Sequence, residues 1–505
     1  MIIIDSSNYI PESFIYDFGR IPDVFLPIGN TRLINIILDK ISFQKEEIII
    51  IVPNSFNINK FSNDYLSSLK IKYLNENQIK EINDIFENTN KTINYIYRLA
   101  LPINDHSSFE NYKSFKNDIP SFGIKLLKNE LINKRLIEKK INNFNEINKE
   151  IYQLFLFKSK YTDVLKTIDL RIPAHYFKVR ADLVGLRFFN KLKIENNKIT
   201  KTVELGMKGK EEANWFKNTL KYLPHIAPTI LDVSKCQKSY TCEYLPMIAL
   251  SEIYTYGQIN INYWDKIFDS ISYLINDMSK CAENLIDLKK ININKEYLEE
   301  QSLELFRYKT IRRMKDFCRA LNISYPFKVV LNDKNQINID EVIDNMVCKI
   351  MEIKPVRMYV HGDLCLSNIL YDSRFNTLKL VDPKGHKDNI KFSEMIGTQK
   401  YDMAKLAHSL LGFYDLINVG EINADSFSVE KNKINIKCNY TVDLYHEMIY
   451  QKAYNFEFLP GSKLKDYIPG AVLLFLSMLP LHSDSQKKQL TLLGNSIRIY
   501  QEFIN

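Results

Sequence analysis

One stretch constrains this chain more than any other. Tyr359-Val360-His361-Gly362-Asp363 is followed by Asn368, an apolar run to Tyr371, and a second apolar run, Leu378–Val381, that ends in Asp382-Pro383. The pattern predicts a short loop and then a β-hairpin whose return strand brings Asp382 back beside Asp363. Two carboxylates and an amide oxygen then converge from separate points of the chain. Such a set suits phosphoryl transfer: one carboxylate orients the attacking hydroxyl and takes its proton, while the amide oxygen and the second carboxylate hold a divalent cation on the phosphates. An ordinary hairpin with polar ends explains one or two of these residues, since Asp and Asn favour turns. It does not explain their joint spacing.

This segment resembles the aminoglycoside phosphotransferase and choline kinase superfamily. The resemblance implies a protein-kinase-like fold using ATP and Mg²⁺, with Asp363 as catalytic base and Asn368 and Asp382 as metal ligands. His361 is then a buttress of the loop. Lys384 stands where family members often have Arg, which keeps the charge and loses the planar fork. Tyr401-Asp402-Met-Ala-Lys405 resembles the family's Tyr-Asp-Leu-Ala-Lys element, with Asp402 expected to cap or anchor a helix beside the catalytic loop and His408 expected to be packed.

The chain's 505 residues suggest more than one domain. With 45% apolar and 25% charged residues, the composition is globular. The net charge of +8 comes from Lys and Arg scattered along the chain, so no nucleic-acid footprint is expected, only a mild preference for phosphorylated ligands. Seven widely spaced cysteines without a Cys-x-x-Cys pair fit reduced thiols in a cytoplasmic protein. Met1–Asp5 lacks the basic and long apolar regions of a signal peptide and reads as a first strand. The apolar run Ala471–Leu481 is half a membrane span, so a buried helix is expected and no membrane span.

The expected fold is α/β plus α+β. A nucleotidyltransferase-like, Rossmann-like α/β domain spans 1–185, and a bilobal kinase-like phosphotransferase domain spans 186–505, with its N-lobe at 186–247 and its C-lobe at 248–505. In the first half, Ile2–Ile4, Glu47–Val52 and Ile71–Leu74 are predicted strands, and Thr31–Ile41 a helix, which together give βαβ units on a parallel sheet. Phe25-Leu-Pro27-Ile-Gly29-Asn30, and Asp169 to Tyr176 about 140 residues later, resemble the opening turn and closing segment of sugar-phosphate nucleotidyltransferases. The chain departs from that family after its first strand. Asp5–Pro11 has no glycine to aim backbone N–H groups at a triphosphate, and the Lys expected before the Leu-Pro turn is missing. A relic domain is the expectation. The fusion of the two halves resembles bacterial capsule and surface-polysaccharide biosynthesis proteins.

In the second half a hairpin is predicted from Arg187–Lys193 and Lys198–Val203. Lys201 on its second strand is the candidate ammonium for the α- and β-phosphates, oriented by Glu212 from the following helix; Lys198 and Glu211 are the neighbouring alternatives. A strand through Thr241–Met247 then leads to a hinge, where backbone groups of Glu243 and Leu245 are expected to meet the adenine edge. Helices are predicted at Trp264–Cys281, Lys295–Leu321 and Ile339–Ile353. The leading reading is an ATP- and Mg²⁺-dependent kinase acting on a hydroxyl of a small metabolite (sugar, polyol or amino alcohol) in capsule or surface-glycan synthesis. A bifunctional kinase/nucleotidyltransferase and a pseudoenzyme scaffold are the alternatives.

Overall fold

A computed structural model describes residues 2–41, 48–54, 56, 71–75, 94–96, 119–121, 126–127, 162–163, 167–184, 190–203, 208–385 and 392–504. The chain divides into two compact units, Met1–Leu186 with Tyr256–Ile259, and Arg187–Thr255 with Asn260–Asn505.

In the first unit, Ile2–Asp5 pairs in parallel with Ile48–Val52 on one side and Asn94–Ile96 on the other, and Ile71–Asn75 extends the sheet in parallel. These four strands lie in the order 3-2-1-4, and two short antiparallel strands follow at Leu126–Leu127 and Thr162–Asp163. All five residues of Ile48–Val52 are buried, as a parallel strand covered on both faces requires. The predicted helix over 31–41 is shorter than expected. Thr31–Arg32 instead pairs with Pro27–Ile28 across Gly29 and Asn30, and the helix begins at Leu33. Gly29 has a φ of 66°, so the turn stops the helix from starting earlier.

The second unit has a smaller lobe built on a sheet and a larger lobe built mainly of helices. Strands Asn190–Glu195, Lys198–Val203, Ser239–Glu243 and Ile230–Val233 form an antiparallel sheet in that order. Asn196 and Asn197, both at positive φ, make the tight turn that joins the first two. The hairpin is described from Asn190 onward; the rest of its predicted first strand, 187–189, lies outside the described residues. The helix Lys208–Tyr222 turns Glu212, Trp215, Phe216 and Thr219 inward, spaced as one buried helical face.

The larger lobe is helical, with long helices at Tyr263–Lys289, Lys295–Leu303 running on through a π-helical turn into Lys309–Leu321, Ile339–Glu352, Gln399–Leu410, Ile468–Met478 and Gln486–Ile504. Ile468–Met478 is its centre: all eleven residues are buried. The stretch Leu464–His482 is long and apolar enough to cross a membrane by composition, but it is the core helix of this lobe. Each buried Leu or Phe there contributes about 1.5–3 kcal/mol. Four strands the sequence did not suggest form a second sheet in the order Ile337–Asn338, Lys328–Leu331, Lys433–Cys438, Ala424–Val429.

Candidate active site

The predicted hairpin is present. Ile369–Asp372 pairs antiparallel with Thr377–Leu380, and Ile248–Ala249 adds a third strand beside Ile369–Asp372. Asp382 follows directly, at a φ of 55°. A non-glycine residue in the left-handed region costs free energy, and such outliers gather at functional sites. The loop after it packs tightly. Gly385 has a φ of 92°, and a Cβ there would lie 2.4 Å from the backbone carbon of Glu211. Gly362, at a φ of 79°, passes Lys384 so closely that a Cβ would lie 2.6 Å from the lysine's own Cβ. Both glycines are demanded by close approach as well as by dihedral angle.

The catalytic-loop candidates are held from three sides. Asp402 accepts the backbone N–H groups of His361 and Gly362, each at 2.8 Å. It was expected to cap or anchor a helix; the cap of its helix is Thr398, and the carboxylate anchors the loop itself. Burial raises the Asp402 pKa, against the lowering effect of His361 and the two N–H groups. His361 bonds Val381 O through Nε2 at 3.1 Å, tying the loop to the return strand. From the smaller lobe, Trp215 Nε1 donates to Val360 O at 3.0 Å, and the indole meets the His361 ring edge-on at 5.3 Å.

Within this frame Asn368 Nδ2 donates to Asp363 O at 2.9 Å and Asp363 Oδ2 at 3.2 Å. With the amide nitrogen tied to Asp363, the oxygen, which among the described residues accepts only from Ser367 Oγ at 3.5 Å, keeps a lone pair for a cation. Asp363 Oδ1 pairs with Lys405 Nζ at 2.8 Å. Burial pushes the Asp363 carboxyl up, but the Lys405 ammonium outweighs it and the net shift is downward. Lys405 is itself buried, which disfavours its charge, yet Asp363 holds its pKa above the usual lysine value.

Lys201 joins the two lobes. Its Nζ donates to Glu212 Oε2 at 2.7 Å and also bonds Asp382 Oδ1. Burial opposes its charge, but the Asp382 and Glu212 carboxylates raise its pKa. Glu212 is fully buried and also accepts from Tyr240 OH at 2.8 Å. Lys198 is exposed and pairs across the strands with Glu195 and Glu243, so it has no part in this junction.

The hinge candidates are less directly involved. The Glu243 carboxylate is taken by Thr229 N and Oγ1, at 2.8 and 3.0 Å, and its N–H donates to Thr229 O. The Leu245 N–H has no backbone acceptor among the described residues. His408 is packed, between the rings of Phe475 and Tyr414. A cavity of ≈ 490 Å³ lined by residues including Lys349, Tyr450, Tyr454 and Lys465 holds none of the site residues.

The site thus gathers Lys201, Glu212, Asp363, Asn368 and Asp382. Sequence reasoning missed Lys405 and Tyr240. Helical spacing was the available signal for Lys405: it lies three residues after Asp402, on the same side of the helix.

No family model matches this chain, and no curated protein does. Among solved structures it is similar to ethanolamine kinase from Plasmodium vivax, at 12% identity over 70% of this chain and 96% of that one, with a TM-score of 0.35. Choline kinase LicA from Streptococcus pneumoniae is 14% identical over 63% and 91%, with a TM-score of 0.34. A choline/ethanolamine kinase family protein from Mesorhizobium loti is 10% identical over 63% and 88%, with a TM-score of 0.33. Likeness at that distance assigns neither activity nor substrate to this chain.

Proposed function

We propose that the second unit is an ATP- and Mg²⁺-dependent kinase that phosphorylates a hydroxyl of a small metabolite. One observation carries this reading: a buried Lys201–Glu212 pair reaches Asp382 at the end of the hairpin. A lysine held between a helix glutamate and the metal-loop aspartate is the arrangement that kinases use to place the α- and β-phosphates.

The donor set fits magnesium, a hard cation that takes oxygen ligands. The Asp382 carboxylate and the Asn368 amide oxygen are such ligands, and their positions at the two ends of one hairpin favour a shared ion. Bound there, magnesium would neutralise charge on the β- and γ-phosphates. Lys201 would exchange part of its contact with Asp382 for the α- and β-phosphates, kept in place by Glu212. The Leu245 N–H and the Glu243 carbonyl would meet the adenine edge. Asp363 would orient the acceptor hydroxyl. As the new O–P bond forms and the bond to the β-phosphate oxygen breaks, the hydroxyl proton passes to Asp363 and ADP leaves. A carboxylate kept ionised by Lys405 is a weak base, which suffices where positioning dominates.

The acceptor class (a sugar, polyol or amino alcohol) and a surface-glycan setting rest on the resemblances described above. The first unit we read as a nucleotidyltransferase-like relic. Tyr176 OH donates to Pro27 O at 2.9 Å, so the two segments that resemble that family meet. Its triphosphate loop, however, is replaced: Ser6 Oγ donates to Asp23 Oδ1 at 2.7 Å, both residues being buried, which puts a carboxylate where phosphate would go.

The test is calorimetry with ATP, with and without Mg²⁺, followed by ATP-dependent phosphorylation across sugars, polyols, amino alcohols and their acid derivatives. Mg²⁺-enhanced ATP binding and one phosphorylated acceptor, lost in Asp363→Asn, are expected. No Mg²⁺-dependent nucleotide binding would sink the reading.

A further inference from the structure

The helix that runs from Lys295 to Leu321 carries its cations unevenly. Arg307 pairs with Asp344 at 2.9 Å, Arg312 with Glu304 at 3.3 Å, and Arg319 with Asp316. Lys309 and Arg313 have no carboxylate partner among the described residues. Lys309 Nζ instead donates to Tyr401 OH at 2.9 Å, with the ammonium 5.0 Å from the centre of that ring. Arg313 Nη1 donates to Ser477 O at 3.0 Å. Both are partly buried.

Tyr401 lies one helical turn before Lys405, whose ammonium is on Asp363. Lys309 and Arg313 are themselves one turn apart, so they face the same way, and like charges at that spacing repel. Lys384, beside Gly362, adds a further positive charge to the field at Lys309. Burial, then Arg313, Lys384 and Lys405, push the Lys309 pKa down to about 7, with Asp363 the opposing influence. The π-helical turn Glu304–Tyr308 immediately precedes Lys309. Such turns reset which way the following residues point and recur at functional sites.

Two partly buried cations one turn apart, with no carboxylate within ion-pair distance among the described residues, raise the free energy of the empty protein, and an anion entering between them relieves it. We propose that the acceptor carries an anionic group, a carboxylate or a phosphate, that Lys309 and Arg313 hold beside Asp363. The inference rests on the kinase reading and narrows its acceptor class. A quaternary ammonium or polyamine acceptor needs aromatic faces and carboxylates around its charge. Here it would meet repulsion.

A matched series tests this on the full-length protein by calorimetry: glycerol, choline, glycerate and glycerol 3-phosphate, each titrated with and without Mg²⁺ and a non-hydrolysable ATP analogue. Glycerate and glycerol 3-phosphate are expected to bind at least about tenfold more tightly than glycerol or choline, as one close opposite charge at partial burial allows. Their ratio tells carboxylate from phosphate. Lys309→Met and Arg313→Met should each remove most of that preference, Lys309→Arg should keep it, and the affinity for the Mg²⁺–nucleotide should change less than about twofold. Unchanged tryptophan fluorescence shows that the variants are folded. Choline or glycerol binding as tightly as the anions would overturn the proposal. So would variants that weaken nucleotide binding and leave the anions untouched, because the cluster would then be part of the nucleotide site. Absence of Mg²⁺–nucleotide binding would instead sink the kinase reading, and the anion titrations without nucleotide would still decide the charge preference.

Discussion

The Lys201–Glu212 pair offers a way to separate what the site contributes to stability from what it contributes to nucleotide binding. Glu212→Leu removes the fully buried acceptor of two hydrogen bonds, from Lys201 Nζ and Tyr240 OH. Breaking a buried pair from one side costs about 3–5 kcal/mol because a charge is left behind. Asp382 stays beside Lys201, and its side chain is 34% exposed, so the loss should fall near the lower end, about 3 kcal/mol. Lys201→Met strands the Glu212 carboxylate in the same way, with only Tyr240 OH at 2.8 Å and the exposed Lys208 at 3.4 Å to compensate. The double variant Lys201→Met/Glu212→Leu strands neither charge. It should lie within about 1 kcal/mol of the parent, the deficit being the lost hydrogen bond of Tyr240. Mg²⁺-dependent ATP affinity should nevertheless be lost in the double variant, since no ammonium remains for the phosphates. Urea unfolding followed by tryptophan fluorescence is the assay: the chain's two tryptophans, Trp215 and Trp264, both lie buried in the second unit and report on it alone. Additive destabilisation in the double variant would show that the pair is not coupled. Retained nucleotide affinity would remove Lys201 from the phosphate site.

Other outcomes follow from the same geometry. Asp363→Asn should reduce phosphoryl transfer by more than about 100-fold with ATP affinity nearly unchanged if, as proposed, its carboxylate meets the acceptor rather than the nucleotide; a tenth or more of wild-type turnover would take it out of that role. Asp382→Ala should abolish the enhancement of ATP binding by Mg²⁺, and calorimetric traces showing equal enhancement in both proteins would refute the ligand assignment. Gly385→Ala should destabilise the second unit by about 2 kcal/mol or more and weaken nucleotide binding, since the new methyl meets the Glu211 backbone at 2.4 Å in a conformation that alanine resists; wild-type urea midpoints and affinity would contradict the close packing. The full chain should release no pyrophosphate from any of the four NTPs with sugar phosphates or phosphocholine, and Mg²⁺-dependent release with one particular NTP would restore the bifunctional alternative.

What could be read from the chain alone tracks how locally each feature is encoded. Asp363, Asn368 and Asp382 lie within twenty residues, on one loop and one hairpin, so their spacing already defines their geometry. Lys201 and Glu212 are eleven residues apart on adjacent elements, and the junction could be anticipated once a strand and a helix were read correctly. The second sheet was out of reach. Lys328–Leu331 pairs in parallel with Lys433–Ile436 across about a hundred residues, and no local pattern records a pairing of that span. Its hairpin, Ala424–Val429 with Lys433–Cys438, does carry a turn signal in Lys431-Asn432 that went unread.

The cations around Asp363 belong to a third kind of information. A lysine on a helix is ordinarily a solvated one, and nothing in the residues near 309, 313 or 405 says otherwise. Their meaning comes from which carboxylates are absent. Arg307, Arg312 and Arg319 each have an acidic partner on this helix or the next, and the exposed Lys315 sits over the Tyr325 ring. Lys309 and Arg313 go without on the face where a burial cost is added to the repulsion. On the proposed reading, two partly buried cations without a carboxylate partner among the described residues carry an electrostatic cost in the empty state that an anionic ligand would recover. On that reading, acceptor recognition would therefore follow from charge that tertiary structure assembles, and phosphoryl transfer from a motif that is local in the sequence.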